Sequence, residues 1–175
     1  LGETITVANG GTGLTSGFKN GITVLDKFVL TSSKSGSGDI TANLARESSN
    51  NYGGIGSTMT ESSGIFTFPS TGIYLIMFQG VINMSSANSR FNELIIYTSI
   101  DSGSNYNKAT NSNGSIPTGY GSNFGNLGSF CLAVFDVTNT STHQVKFSTG
   151  FESASASLYS SLNNTSMTFI RLGDT

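Results

Sequence analysis

The sequence gives nucleophilic and metal chemistry very little to work with. It holds one histidine, His143, and one cysteine, Cys131. Attack by a serine needs a base in contact with the hydroxyl and a third group that orients the base. Asp136 lies on the apolar run before His143 and could face it across a hairpin. Serine is so abundant here that one near this pair carries no information. His143 is therefore read as a solvated turn histidine, and Cys131, inside an apolar run, as a buried structural thiol. Zinc needs several Cys or His at ligand spacing, which one of each cannot supply. Gly10-Gly11-Thr12-Gly13 is glycine-rich, but no Lys-Ser/Thr and no helical pattern follows, so it does not read as a phosphate loop. Glycan cleavage needs two carboxylates across one bond. The 10 acidic residues are scattered singly, and Glu93 and Asp101 fall near opposite ends of one run. Asp39, Asp101 and Asp136 form no calcium-loop pattern. The expectation is a protein with no catalytic residues, no metal site and no cofactor.

Composition narrows the partners. Charged residues make up 10% of the chain, where about a quarter is usual. The net charge is −2, with 8 basic and 10 acidic residues, which argues against nucleic acid held through its phosphates. No basic block suggests an anionic membrane surface, and no apolar run approaches the ~20 residues of a membrane helix, so no membrane insertion is expected. Ser, Thr, Asn and Gly fill roughly half of the 175 residues, a surface chemistry suited to extracellular fibres and adhesins. Disorder would suit such a composition, but 12 Phe and 6 Tyr sit in alternating apolar runs that can bury enough area to offset chain ordering. The single cysteine allows no internal disulfide. A start at Leu1 suggests a piece of a longer protein.

Residues 1–20 are Gly-rich and poor in aliphatics, and read as a stalk-like linker. Residues 21–175 read as one all-β domain with a period of two. Strands are expected at 21–33, 38–45, 64–84 (broken at Pro69–Gly72), 91–101, 127–138, 143–151 and 165–172, with a short one near 106–110. The runs 73–82 and 127–137 look apolar on both faces. One face of a sandwich strand meets the partner sheet, so the second must be covered by something else. A homotrimer interface along a three-fold axis would do this, with Tyr74, Ile76, Phe78, Phe130, Leu132 and Phe135 as its residues.

The segment Gly64-Ile-Phe-Thr-Phe-Pro-Ser-Thr-Gly-Ile-Tyr-Leu-Ile76 resembles the globular head of complement component 1q and its tumour-necrosis-factor-like relatives. Gly64, Phe66, Pro69, Gly72 and Tyr74 match that family's pattern, while Ile76 stands where the family prefers Phe. The order of later strands also fits, although Thr168-Phe-Ile-Arg-Leu172 lacks the glycine usual in the last strand. The resemblance covers about 55–175 and implies an antiparallel jelly-roll β-sandwich of about ten strands, homotrimeric. It does not fix a ligand, because this fold hosts many. Separately, Thr6-Val-Ala-Asn-Gly-Gly-Thr-Gly-Leu-Thr15 is similar to a segment that recurs in phage tail-fibre proteins ahead of their head domains.

Together the two resemblances imply a non-enzymatic fibre tip on a virion, outside the cell, joined to the rest of the fibre and binding a glycan or protein of the bacterial host surface. Strand parity then places the loops. Counting back from the last strand, the loops at 85–90, 111–126 and 152–164 fall at the end away from the stalk. They carry Arg90, Tyr120, Asn123, Phe124 and Tyr159 as receptor-binding candidates: aromatic faces on which a sugar stacks, beside groups that satisfy its hydroxyls. The alternatives are a structural trimerisation cap or decoration module, a glycan depolymerase, and the head of a bacterial surface filament.

Overall fold

The computed structural model describes residues 21–49, 52–85, 89–116, 124–160 and 164–175. The linker expected at 1–20 lies outside them, as do Tyr120 and Asn123. The described chain forms thirteen strands: β1 (Leu25–Leu30), β2 (Lys34–Ser35), β3 (Gly38–Asp39), β4 (Leu44–Arg46), β5 (Thr60–Ser62), β6 (Ile65–Thr67), β7 (Gly72–Ser85), β8 (Ser89–Ser99), β9 (Asn107–Ile116), β10 (Phe124–Val137), β11 (Gln144–Phe151), β12 (Ala156–Tyr159) and β13 (Ser166–Gly173). No helix occurs among the described residues.

The strands make two antiparallel sheets packed as a jelly roll. In the first, β7 is central. β10 pairs with it along its whole length, and its other edge is shared between β13 (at 73–79) and β12 (at 81–84). β1 and then β4 continue the sheet beyond β13, and β2 flanks β12. The second sheet runs β5-β6-β11-β8-β9, with β3 also on β11. The chain changes sheets at every step from β2 to β5, and again between β6 and β7, β7 and β8, β9 and β10, β10 and β11, and β11 and β12.

Alternation decides the core. Along β7, Tyr74, Ile76, Phe78, Ile82 and Met84 point inward and are buried. Gly80 completes that row where β12 and β13 meet, and an added Cβ would press on the Leu158 side chain. Phe66 of β6 fills the centre. Its ring meets Phe28 at 5.0 Å and Phe169 at 5.1 Å from the opposite sheet, and Phe147 at 5.5 Å from its own. Phe78 closes on Phe147 at 5.1 Å. Five aromatic rings thus lock the two layers together, largely by edge contacts that aromatic quadrupoles favour.

The segment 64–76 owes its pattern to geometry. Ser63 and Gly64 form a two-residue hairpin with φ of 52° and 81°, the type I′ form that suits strand twist. A Cβ on Gly64 would collide with the Ile40 carbonyl oxygen. Gly72 has φ of 140° and lies against Arg171 and the Gly173 carbonyl. Between them the chain crosses sheets. The Phe68 ring meets that of Tyr74 at 4.7 Å with a tilt of 60°, and the Tyr74 hydroxyl bonds Ser70 at 3.0 Å (side chain) and 3.1 Å (carbonyl).

The sequence reading of several elements is corrected. The expected strand at 38–45 is two short pieces, β3 and β4, which belong to different sheets. The short strand near 106–110 is β9, ten residues long and mostly small and polar, ending in the buried Ile116. That shortens the long loop expected at 111–126 to the interval between Ile116 and Phe124. The loop expected at 152–164 contains β12, which fills the upper edge of β7.

Candidate functional site: an outer apolar sheet face and a cluster of loop ends

The outward side of the first sheet carries residues that a folded monomer leaves in water. On β10, Phe130, Leu132 and Val134 are 48%, 47% and 63% exposed. Registers place them against the odd-numbered residues of β7: Leu132 opposite Met77, Val134 opposite Leu75. Leu75 is also opposite Ile170 of β13, and Ile170 opposite Leu25 of β1. Four apolar side chains therefore form one row across four strands.

The outer face of the second sheet is different. Lys146 Nζ pairs with Asp39 at 2.8 Å and lies 4.2 Å from the Tyr106 ring centroid and 5.6 Å from that of Tyr97. Tyr106 donates to Gln144 Oε1 at 2.7 Å, and burial, with Asp39 and Asp101 nearby, pushes its phenol pKa up. Glu93 accepts from Asn111 and pairs with Lys108 at 3.5 Å. Its polar groups are satisfied within the chain, so this face is suited to water. Among the described residues, neighbouring exposed apolar side chains line β10 of the first sheet, whereas on the second sheet Phe91 and, just beyond β8, Ile100 are exposed singly.

This corrects the expected interface. Tyr74, Ile76 and Phe78 are fully buried between the sheets of one chain, so no second chain can reach them. Phe135 turns inward too, 5.8 Å from Phe68 and 5.4 Å from His143 between ring centroids. Phe130 and Leu132 do face out. The outward residues missed by the sequence reading are Ile73, Leu75, Met77 and Val134. A signal for them existed: polar Gln79 shares the parity of Ile73, Leu75 and Met77, and Asp136 that of Phe130, Leu132 and Val134.

His143 is likewise not solvated. It is 6% exposed, with Nε2 3.3 Å from the Thr138 hydroxyl and Nδ1 3.1 Å from that of Thr142. Asp136 points outward from β10, away from it. Cys131 is buried, and desolvation pushes its thiol pKa up to about 12. Among the described residues no group of three or more His, Cys, Asp or Glu could hold a metal ion.

Among the described candidates, the strand registers bring Arg90 and Phe124 toward one end, whereas Tyr159 lies opposite Val81, partway along β7. Ser85 pairs with Phe124, Ser89 with Ile116, Asn92 with Phe151 and Met84 with Ala156. The start of β1 and the end of β13 lie at the opposite end, where β7 begins. Arg90 is not free there. Its Nε and Nη2 donate to Glu152 Oε1 and its backbone N–H to Oε2, which holds the Glu152 pKa down. The pair ties the start of β8 to the turn after β11. Tyr159 ends β12 opposite Val81 and is exposed, and Phe91, which sequence reasoning passed over, is exposed beside Arg90.

No family model matches the sequence, and no curated protein does. Solved structures do match. Murine APRIL at pH 5.0 superposes with a TM-score of 0.62 at 13% identity, over 85% of this chain and 98% of that one. Eiger TNF from S. frugiperda gives 0.61 at 13% identity, over 87% and 94%. The fold is TNF-like. At this identity the likeness concerns the fold alone: the all-β jelly roll of two antiparallel sheets, with β7 and β10 forming its longest ladder.

Proposed function

We propose that this chain is the trimeric, non-enzymatic head of a phage tail-fibre-like protein, which attaches a virion to a receptor on the bacterial host surface. The observation that carries the assembly is the outer row of Val134, Leu75, Ile170 and Leu25, with Leu132 and Phe130 beside it. Such a surface on a sheet whose inner face is already filled is covered best by further copies of itself, in a closed ring. The TNF-like fold is consistent with that reading. The fibre context rests on the sequence segment 6–15, and the extracellular, virion-borne location follows from it.

Receptor contact falls to the loop end opposite the chain's point of entry, with Arg90, Tyr120, Asn123 and Phe124 as contact residues, and with Tyr159 exposed farther along the sheet beside Val81 as a further one. The Arg90–Glu152 pair favours a second reading, a trimerisation cap with no receptor, because it spends the one charged candidate on internal bracing. A fluorescent head incubated with a panel of bacterial strains separates the two. Adhesion predicts saturable binding to some strains that Tyr159→Ser weakens. A cap predicts no saturable binding to any strain.

A further inference from the structure

On the far side of the first sheet from β10, the two sheets end side by side. β4 pairs only with β1, and β5 only with β6, among the described residues. Between these edges lies an open cleft of about 360 Å³, lined by Phe28, Arg46, Thr58, Met59, Thr60 and Glu61. Neither the core nor the apolar outer row accounts for it.

Arg46 is held rigidly in this cleft. Its Nε donates to both oxygens of Asp26, at 3.0 and 3.2 Å, and its Nη2 donates to the Met59 carbonyl at 2.7 Å. The guanidinium also lies 5.0 Å from the Phe28 ring centroid. Asp26 is 1% exposed and saturated, because it accepts the backbone N–H groups of Lys27 and Met59 as well. A buried, fully bonded carboxylate of this kind locks its arginine in one pose. The Arg46 side chain remains 41% exposed, and its Nη1 has no hydrogen bond to a described residue.

Glu61 forms the other wall. Its Oε1 accepts the Gly64 N–H at 2.7 Å, which leaves Oε2 without a described partner. The exposed Thr58 and Thr60 add hydroxyls that donate or accept. The charges do not suit an anion: Asp26 already matches Arg46, and Glu61 would repel a phosphate or sulfate. One fixed donor, one carboxylate acceptor, two hydroxyls and a thin apolar floor instead match a neutral polyol. Adjacent hydroxyls of a sugar would donate to Glu61 and accept from Arg46. The volume lies at the lower end of small-ligand pockets, the size of a mono- or disaccharide.

We propose that the β4–β5 cleft is a saccharide site, in which Arg46 and Glu61 grip vicinal hydroxyls of a neutral sugar. The site stands on one chain and is separate from the loop end, so it does not depend on the assembly. It gives the host-attachment reading a chemical class of ligand.

The test uses the isotope-labelled chain, titrated separately with the methyl glycosides of mannose, glucose and galactose, and with sodium sulfate. The expected result is amide shifts at Arg46 and Thr58 to Glu61 with at least one sugar, saturating in the millimolar range. Glu61→Gln keeps an acceptor for Gly64 but removes the carboxylate, and should weaken binding about tenfold without changing the circular dichroism. Thr60→Val, an exposed position, should weaken it a few-fold. Absence of cleft shifts up to about 100 mM of all three sugars would overturn the proposal. So would sugar shifts indifferent to Glu61→Gln, or sulfate competing for the same amides. A sugar-silent cleft on a chain that still assembles removes this site and leaves the trimer standing.

Discussion

Leu132 and Met77 stand directly opposite each other in the β10–β7 ladder, and both point away from the core. The inward neighbours on the same strands, Cys131 opposite Phe78 and Ala133 opposite Ile76, pair a small side chain with a large one and fill the sandwich. The outward pair has no such partner layer within the chain. Replacing Leu132 with Asp should therefore leave the fold intact and dissolve the proposed trimer. The lost burial is worth about 2 kcal/mol per chain, before the cost of placing a charge there. Circular dichroism and sedimentation on the same sample check both halves of this expectation.

Phe66 should behave oppositely. Its ring touches three other phenylalanines across both sheets, so Phe66→Ala leaves a cavity at the centre of the core. The expected loss is about 3–5 kcal/mol, read from a denaturant midpoint. Phe130→Ser, on the outer face, should cost the isolated chain far less.

Two glycines offer a controlled comparison of strain and space. Gly64 and Gly36 both have positive φ, of 81° and 70°. Around Gly36 an added Cβ meets nothing, whereas at Gly64 it strikes the Ile40 carbonyl. Gly36→Ala should cost only the backbone term, about 1 kcal/mol. Gly64→Ala should cost clearly more, because the β5–β6 turn must also move. Thermal melts of the two variants give the difference.

Asp101 predicts part of the acid limb. Hydrogen bonds from the Asn105 side chain, the Ser99 hydroxyl and the Asn105 backbone hold its pKa down at about 2, against 3.8 for a free side chain. A depressed carboxyl stabilises the fold above its unfolded value and loses that contribution as pH falls through the folded one. The effect therefore lies between about pH 4 and pH 2. Asp101→Asn should flatten stability across that window and leave its pH dependence above it unchanged, as followed by unfolding at several pH values.

Cys131 should be inert. With its pKa pushed up to about 12 by burial, almost no thiolate forms at pH 8. Iodoacetamide should leave the native chain unmodified and alkylate it fully in denaturant, as read by intact mass.

The pattern from Gly64 to Tyr74 was legible because each residue answers a local demand: a positive φ, a sheet crossing, a ring contact. The fold class followed from it. The facing of β7 was harder to read. Ile73 to Phe78 are apolar at every position, so alternation is invisible there, and only Gln79 one strand-step later fixes which parity faces water. β9 was hidden for the opposite reason. Asn107–Ile116 carries almost no apolar signal, because it is an edge strand held by its ladder to β8. The Asp26–Arg46 clamp was not legible at all: the two charges are isolated in sequence and meet only because β1 and β4 pair.

The mass of the chain in solution, by light scattering on a sizing column, tests the central claim most directly. A closed three-fold assembly predicts three times 18.2 kDa, about 55 kDa, falling to the single-chain mass with Leu132→Asp. A stable 18.2 kDa species for the unaltered chain would mean that Phe130, Leu132 and Val134 face water in the working protein, and would contradict the account.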